Sequence, residues 1–250
     1  MDAKKGIIIG ASSGIGREVC LRLLQDGWTL GIAARRQEPL YDIKACYPKQ
    51  VEVAAIDITK EDAGQKLLQL IDRLGGIDLY FHASGIGKQN LPLQEEIEMN
   101  TVATNGIGFT RMVGTAFRYM AQHDGGIIGI ISSIAGTKGL GASPAYSATK
   151  AFQNTYIEAL EQQAHLRKLN IHFTDIRPGF VATALLNGGQ GYPLLLRPEN
   201  VAKEIVSSIY KKRHVRVVDW RYRILTSLWR LLPRWLWVRL PVANSKTRNS

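Results

Sequence analysis

Apolar residues recur in short bursts along the chain, and the spacing inside each burst predicts its element. Residues 5–9 form a β-branched run that ends at a glycine-rich turn. From 15 to 25 the apolar positions Ile15, Val19 and Leu23 follow helical spacing and stop before Gly27. Strand-like runs follow at 28–34, 51–56 and 77–82, the last two separated by the helix-like KEDAGQKLLQLIDRL. Residues 127–131 are continuously apolar, a long helical pattern covers about 145–167, and 171–176 is again strand-like. A helix over 201–210 and a strand over 215–218 complete the alternation.

Strands alternating with helices at this spacing imply a parallel sheet covered on both faces. Right-handed crossovers then give an α/β, doubly wound, Rossmann-like sheet of about seven strands in a single domain. That domain is expected to span residues 1–218, followed by an amphipathic helical tail over 219–250.

The turn after the first strand reads GASSGIG, Gly10 to Gly16. Glycines there permit a tight turn and close backbone approach to a pyrophosphate, and the helix N-terminus adds partial positive charge. A glycine turn alone could be purely structural, but this one occupies the first strand-to-helix turn. The second strand ends in AARRQ, without the acid that commonly accepts hydrogen bonds from a ribose 2′-hydroxyl. Arg35 and Arg36 stand there instead, with Arg17 just after the glycine turn. Guanidinium groups attract a 2′-phosphate and grip it bidentately, so NADP is expected over NAD.

Tyr146 and Lys150, in YSATK, are four residues apart and share one helix face. A phenol of ordinary pKa is a weak acid–base group at neutral pH, and a neighbouring ammonium favours its ionised form. The pair alone could be a surface pair. Ser133, in ISSIAG, falls at the C-terminal end of the 127–131 strand, where open α/β sheets bind ligands. A serine there can hold a substrate carbonyl by hydrogen bond.

Taken together these motifs resemble the short-chain dehydrogenase/reductase family, in its single-domain form, over about residues 4–218. The shared features are GASSGIG, Asp57 in AIDIT, Asn105 to Gly108, Ser133, Tyr146 with Lys150, and RPGFVAT from Arg177 to Thr183. The resemblance implies that Tyr146 exchanges a proton with the carbonyl oxygen and that Ser133 orients and polarises that carbonyl. It implies that Lys150 lowers the Tyr146 pKa and bonds the nicotinamide ribose, and that Asn105 holds a water in a proton relay behind Lys150. It assigns Gly10, Ser12, Ser13, Gly14, Ile15, Gly16, Asp57, Ile58, Ser84 and Gly85 to the cofactor. It places Pro178, Gly179, Val181 and Thr183 beside the nicotinamide. Two positions depart from the family pattern: Ile9 replaces the usual Thr, and HASG, with His82 and Ala83, replaces Asn-Asn-Ala-Gly. His82 is expected to be a structural substitute.

The implied reaction is hydride transfer between NADP(H) and a carbonyl or alcohol, with a non-catalytic NADP-binding protein on the same fold as the alternative. ALLNGGQGYPLLL, from Ala184 to Leu196, resembles the family's substrate lid. Gly188, Gly189 and Gly191 are its hinge candidates, and Leu185, Leu186, Tyr192 and Leu194 to Leu196 an apolar lining that suits an apolar or bulky substrate. A homodimer or homotetramer is implied by the resemblance alone.

Charge refines this picture. The formal net charge is +11, but residues 211–250 hold eleven Lys/Arg and a single acid, Asp219, so the first 210 residues are close to neutral. A nucleic-acid surface across the domain is therefore not expected. Cys20 and Cys46 lack metal-ligand spacing and read as reduced thiols. MDAKKGIIIG has too short an apolar core for a signal peptide, which points to a cytoplasmic protein. In LTSLWRLLPRWLWVRL, arginines at 230, 234 and 239 break any membrane span. At helical spacing Arg223, Thr226, Ser227, Arg230 and Arg234 form a polar stripe beside a wide apolar face. Pro233 kinks the helix or starts a second. Such a face suits a lipid interface, on the inner side of a membrane, and equally a partner subunit or the substrate cleft.

Overall fold

The computed structural model describes residues 3–189, 192 and 194–240, without the side chains of 187–189. Seven strands form one sheet: β1 (Lys5–Ile9), β2 (Thr29–Ala34), β3 (Val51–Ala55), β4 (Leu79–His82), β5 (Gly126–Ile131), β6 (Ile171–Arg177) and β7 (Val215–Val217). Their order is β3-β2-β1-β4-β5-β6-β7, and every pairing is parallel. The doubly wound, Rossmann-like sheet read from the apolar bursts is thus the observed fold.

Strand residues alternate between two cores. Ile8 of β1 packs with α1 (Gly14–Gln25), α2 (Glu38–Cys46) and α7 (Pro198–Tyr210). Its neighbours Ile7 and Ile9 pack on the opposite face with α3 (Ala63–Leu74), α5 (Phe109–Gln122) and α6 (Pro144–Leu166). This is why β1 is apolar at every position from Gly6 on rather than at alternate ones. The order reverses between β1 and β4, whose C-terminal ends align Ile9 with His82. Open sheets of this kind bind ligands at such a switch point.

A short α4 (Glu95–Val102) leads directly into a π-helical turn over Ala103–Gly108 and then α5. Wide turns of this type interrupt helices mainly at functional sites. Cys20 and Cys46 are free thiols, and burial pushes the Cys20 thiol up to about 12.

Beyond β7, α8 (Trp220–Leu231) and α9 (Arg234–Trp237) are separated by Pro233, which caps the second helix. Their polar stripe does not simply face water. Thr226 is buried and returns its hydroxyl to the Tyr222 and Arg223 carbonyls. Tyr222 and Trp237 are buried as well. Helical spacing groups Thr226 with the arginines by polarity; its back-bond to the helix lets it face protein instead.

Candidate active site

Four loops converge at the C-terminal ends of β1, β4, β5 and β6. In the glycine turn Gly10 and Gly14 have φ of +92° and +56°, values that favour glycine. A Cβ on Gly16 would lie 2.2 Å from the Gly10 carbonyl oxygen, and one on Gly10 would lie 2.7 Å from the Ser84 nitrogen. The turn is therefore pressed against HASG, bringing Ser84 and Gly85 to the same crevice. Ser13 precedes α1 in extended conformation without a side-chain cap, and no acid occupies the first turn. The leading N–H groups of α1 are thus suited to an anion, which fits a dinucleotide pyrophosphate. Ser12 and Ile15 lie in this turn, half-buried. Across it, Thr183 would meet a Cβ on Gly14 at 3.3 Å, so the RPGFVAT loop faces the glycine turn.

Arg35 and Arg36 directly follow β2 and are exposed. Asp57, after β3, accepts hydrogen bonds from the Thr59 nitrogen and hydroxyl at 3.0 and 2.7 Å. Partial burial raises its pKa, but these bonds and the Arg35 and Lys60 charges outweigh that and leave it below the usual carboxylate value. Ile58 is buried, and its carbonyl accepts from Arg111.

Ser133, Tyr146 and Lys150 meet beyond β5. The 3₁₀ turn over Ile134–Thr137 places Ser133 as its cap, its hydroxyl accepting from the Ala135 nitrogen at 3.0 Å. Pro178 holds the same turn through a 3.1 Å bond from the Ile134 nitrogen. The Tyr146 phenol lies beside the Ser133 hydroxyl. Burial raises its pKa above the ordinary value, and the Ser133 hydroxyl opposes that rise. The lowering expected from Lys150 is therefore not the dominant effect. Lys150 is itself buried, and its ammonium donates to the Ile131 carbonyl at 3.0 Å and the Gln153 carbonyl at 2.9 Å. Burial pushes its pKa down to about 8, with the Asp175 charge opposing.

Asn105 sits in the π-helical turn, fully buried. Its side chain clamps Ile86, accepting from the nitrogen at 2.9 Å and donating to the carbonyl at 2.7 Å. Its main-chain carbonyl accepts from Gln153 Nε2 at 2.9 Å. The Gln153 amide thus links the Asn105 main chain to Lys150.

Several positioning residues were not anticipated. Gln153 lies one turn after Lys150 and is fully buried. Glu98 of α4 accepts from the Ala145 nitrogen at 3.0 Å, satisfying the first turn of the helix that carries Tyr146 and Lys150. Behind Ser133, Ser132 bonds Asp175, which pairs with Arg177 at 2.7 Å. A neutral Gln three residues past a lysine, or one Glu among the three of EEIE, carries no pattern by itself.

His82 is buried against Phe109, with Nδ1 2.8 Å from the Tyr80 hydroxyl. Burial, then the Lys150 charge, lowers its pKa to about 3, so the ring is neutral. Val181 and Leu196 form a parallel bridge at the base of the segment expected to act as a lid. The Tyr222 hydroxyl accepts from the Phe180 nitrogen at 3.2 Å and donates to the Leu194 carbonyl at 3.0 Å. Gly179 lies under the Tyr222 ring, within 2.2 Å of where its Cβ would be. Gly188 and Gly189 belong to a 3₁₀ segment, Ala184–Gly189, while Gly191 lies outside the described residues. Leu185, Leu194 and Leu195 are exposed, and Leu186 and Tyr192 half-buried.

The model of the short chain dehydrogenase family matches residues 4–189. An uncharacterized oxidoreductase of Myxococcus xanthus is 28% identical over 242 residues, covering 93% of this chain and 94% of that one. One from Mycobacterium tuberculosis is 28% identical over 247 residues, covering 95% and 94%. Among solved structures, a short-chain dehydrogenase/reductase of Burkholderia phymatum in complex with NAD superposes with a TM-score of 0.82 at 18% identity, over 91% of this chain and 92% of that one. An alcohol dehydrogenase of Thermococcus sibiricus complexed with 5-hydroxy-NADP gives 0.76 at 22%, over 88% and 98%. With the family model spanning the glycine turn, the Ser133 turn and the Tyr146 helix, the chain belongs to the short-chain dehydrogenase family and is an oxidoreductase of that type.

Proposed function

We propose that this protein is an NADP(H)-dependent reductase of apolar or bulky carbonyl compounds. The observation that carries the reading is the convergence of Ser133 and a half-buried Tyr146, whose pKa is raised by desolvation, beside a buried Lys150. A phenol kept protonated is a proton donor, which suits carbonyl reduction.

When bound, the nicotinamide cofactor supplies the hydride to the carbonyl carbon. Ser133 donates a hydrogen bond to the carbonyl oxygen and fixes its position. Tyr146 delivers its proton to that oxygen as negative charge develops. Lys150 stabilises the phenolate left behind, and Gln153 and the Ile131 carbonyl hold the ammonium in place. Asn105 anchors the segment after β4 through Ile86, and the α1 N-terminus with Gly10 to Gly16 would hold the pyrophosphate.

The NADP preference rests on this chain's own Arg35 and Arg36, since the two solved relatives carry one cofactor type each. The exposed lid leucines favour an apolar substrate. A homodimer or homotetramer through the helical segments carrying Asn105 and Tyr146 is favoured by exposed Met99, Val102, Ile107 and Phe152.

The test is NADPH and NADH oxidation with a panel of apolar ketones and aldehydes, for the wild type and Tyr146→Phe. Loss of the phenol should cost about 10²–10⁴-fold in kcat. Equal rates for the two proteins would sink the reading.

A further inference from the structure

Helix α8 has two apolar faces, and among the described residues only one meets the protein. Tyr222 and Thr226 are buried beneath it, and Trp229 packs on Trp237 with ring centroids 5.4 Å apart. On the opposite side Trp220, Ile224, Leu228 and Leu231 follow one another at spacings of four, four and three, a single helical stripe. With Trp235 and Val238 of the following segment, these side chains are between 51% and 79% exposed. Singly exposed apolar residues are ordinary; this many within so short a segment mark an interaction surface.

The charge around the stripe says what covers it. Arg223, Arg230 and Arg234 are exposed and have no carboxylate partner among the described residues. Asp219, the sole acid from 211 to 250, is forked to Arg221 at 2.7 Å. A second copy of the chain laid on this face would set arginine against arginine. An anionic lipid surface would meet the arginines with headgroup charge and accept the Trp and Leu side chains at the acyl boundary.

We infer that the exposed face of α8 and α9 seats this protein on an anionic membrane surface, lying in the headgroup layer. Among the described residues no helix is long and apolar enough to cross a membrane, so the contact is interfacial. The same helices hold both loops that border the cleft. Trp237 Nε1 donates to the Gly139 carbonyl at 2.8 Å and Lys138 to the Leu232 carbonyl at 2.8 Å. Tyr222 holds Leu194 of the lid. Docking therefore fixes the cleft close to the lipid surface.

The test is co-flotation of the full chain with vesicles of phosphatidylcholine alone, or of phosphatidylcholine and phosphatidylglycerol in equal parts. The wild type should float with the anionic vesicles and not with the neutral ones. A Trp220→Ser, Leu228→Ser, Trp235→Ser variant and an Arg223→Gln, Arg230→Gln, Arg234→Gln variant should each lose at least about tenfold in partitioning, because both apolar burial and headgroup charge contribute. Leu228→Trp should tighten binding. Thermal midpoints near the wild-type value would show that these exposed substitutions leave the fold intact, and NADPH oxidation in the absence of lipid is scored separately. Absence of flotation overturns the inference. So does binding indifferent to the apolar substitutions, which leaves only a polycationic patch. Self-association of the wild type that the apolar substitutions abolish would overturn it in favour of a second copy.

Discussion

Gln153 Nε2 donates to the main-chain carbonyl of Asn105 at 2.9 Å while its own carbonyl accepts from Lys150. One buried amide thus ties the lysine beneath Tyr146 to the π-helical turn between α4 and α5. The arrangement is directional: the amide's acceptor end faces the ammonium and so favours the charged lysine.

This bond gives a pH prediction. Burial holds Lys150 at about 8, below its ordinary 10.5, so activity that needs the ammonium should fall as pH rises through about 8. Gln153→Leu removes an acceptor from the charged form, so the pKa falls further and the alkaline limb of kcat/KM moves acidward, by about one unit. Gln153→Glu should move it the other way. A purely structural role would lower activity without moving the limb, so the pH profile of the two variants decides.

Much of the fold was legible because burial on both faces leaves continuous apolar strands, as in Ile7 to Ile9 and 127–131. Each predicted strand agrees with the observed one to within two residues at either end. The helices α2, α4 and α5 were not delimited: α2 is nine residues long with only Leu40 and Ile43 buried, too few to set a period. The π-helical turn has no signature either, since it depends on how Asn105 is engaged by Ile86 and Gln153. At the site, residues with reactive groups at fixed spacings, Ser133, Tyr146 and Lys150, stood out. Gln153, Glu98 and Asp175 act through contacts made 43 to 48 residues away along the chain, which no local pattern records.

Cofactor choice should reside in the exposed end of β2. A charge-assisted bond to a phosphate contributes about 1.5–3 kcal/mol. Replacing Arg35 and Arg36 by Ser should therefore reduce the NADPH over NADH preference in kcat/KM by about 10–100-fold, mostly through KM. An unchanged ratio would place the discriminating contact elsewhere, with Arg17 the next residue to substitute.

His82 should make the fold acid-sensitive. Its folded-state pKa is about 3 against 6.5 for the ordinary side chain, because burial disfavours the imidazolium. The unfolded chain therefore takes up a proton that the folded chain refuses. The stability involved is fully present above about pH 6.5 and is lost as pH falls toward 3. Between pH 7 and 5 this amounts to about 2 kcal/mol, or about 4–8 °C in thermal midpoint. His82→Asn keeps a neutral polar group that does not titrate, so its melting profile over that range should be flatter than the wild type's. Parallel profiles would show that other groups govern acid unfolding.

The contact of Tyr222 with Gly179 predicts strong coupling between the C-terminal helix and the loop after β6. A methyl group on Gly179 would overlap the Tyr222 ring, which is itself held by Phe180 and Leu194. Gly179→Ala should therefore destabilise the protein by several kcal/mol, on the order of 2–4, unless the ring gives way. Tyr222→Phe keeps the ring and loses the hydroxyl bonds to Phe180 and Leu194, at about 1–3 kcal/mol, and should raise KM for bulky ketones more than it lowers kcat if the 184–196 segment covers the substrate. Tyr222→Leu opens space, so Gly179→Ala should cost less in that background than in the wild type. Denaturant unfolding of the four proteins in this cycle measures the coupling. Additive losses would mean that the loop and the helix relax independently, and that α8 does not hold the lid in place.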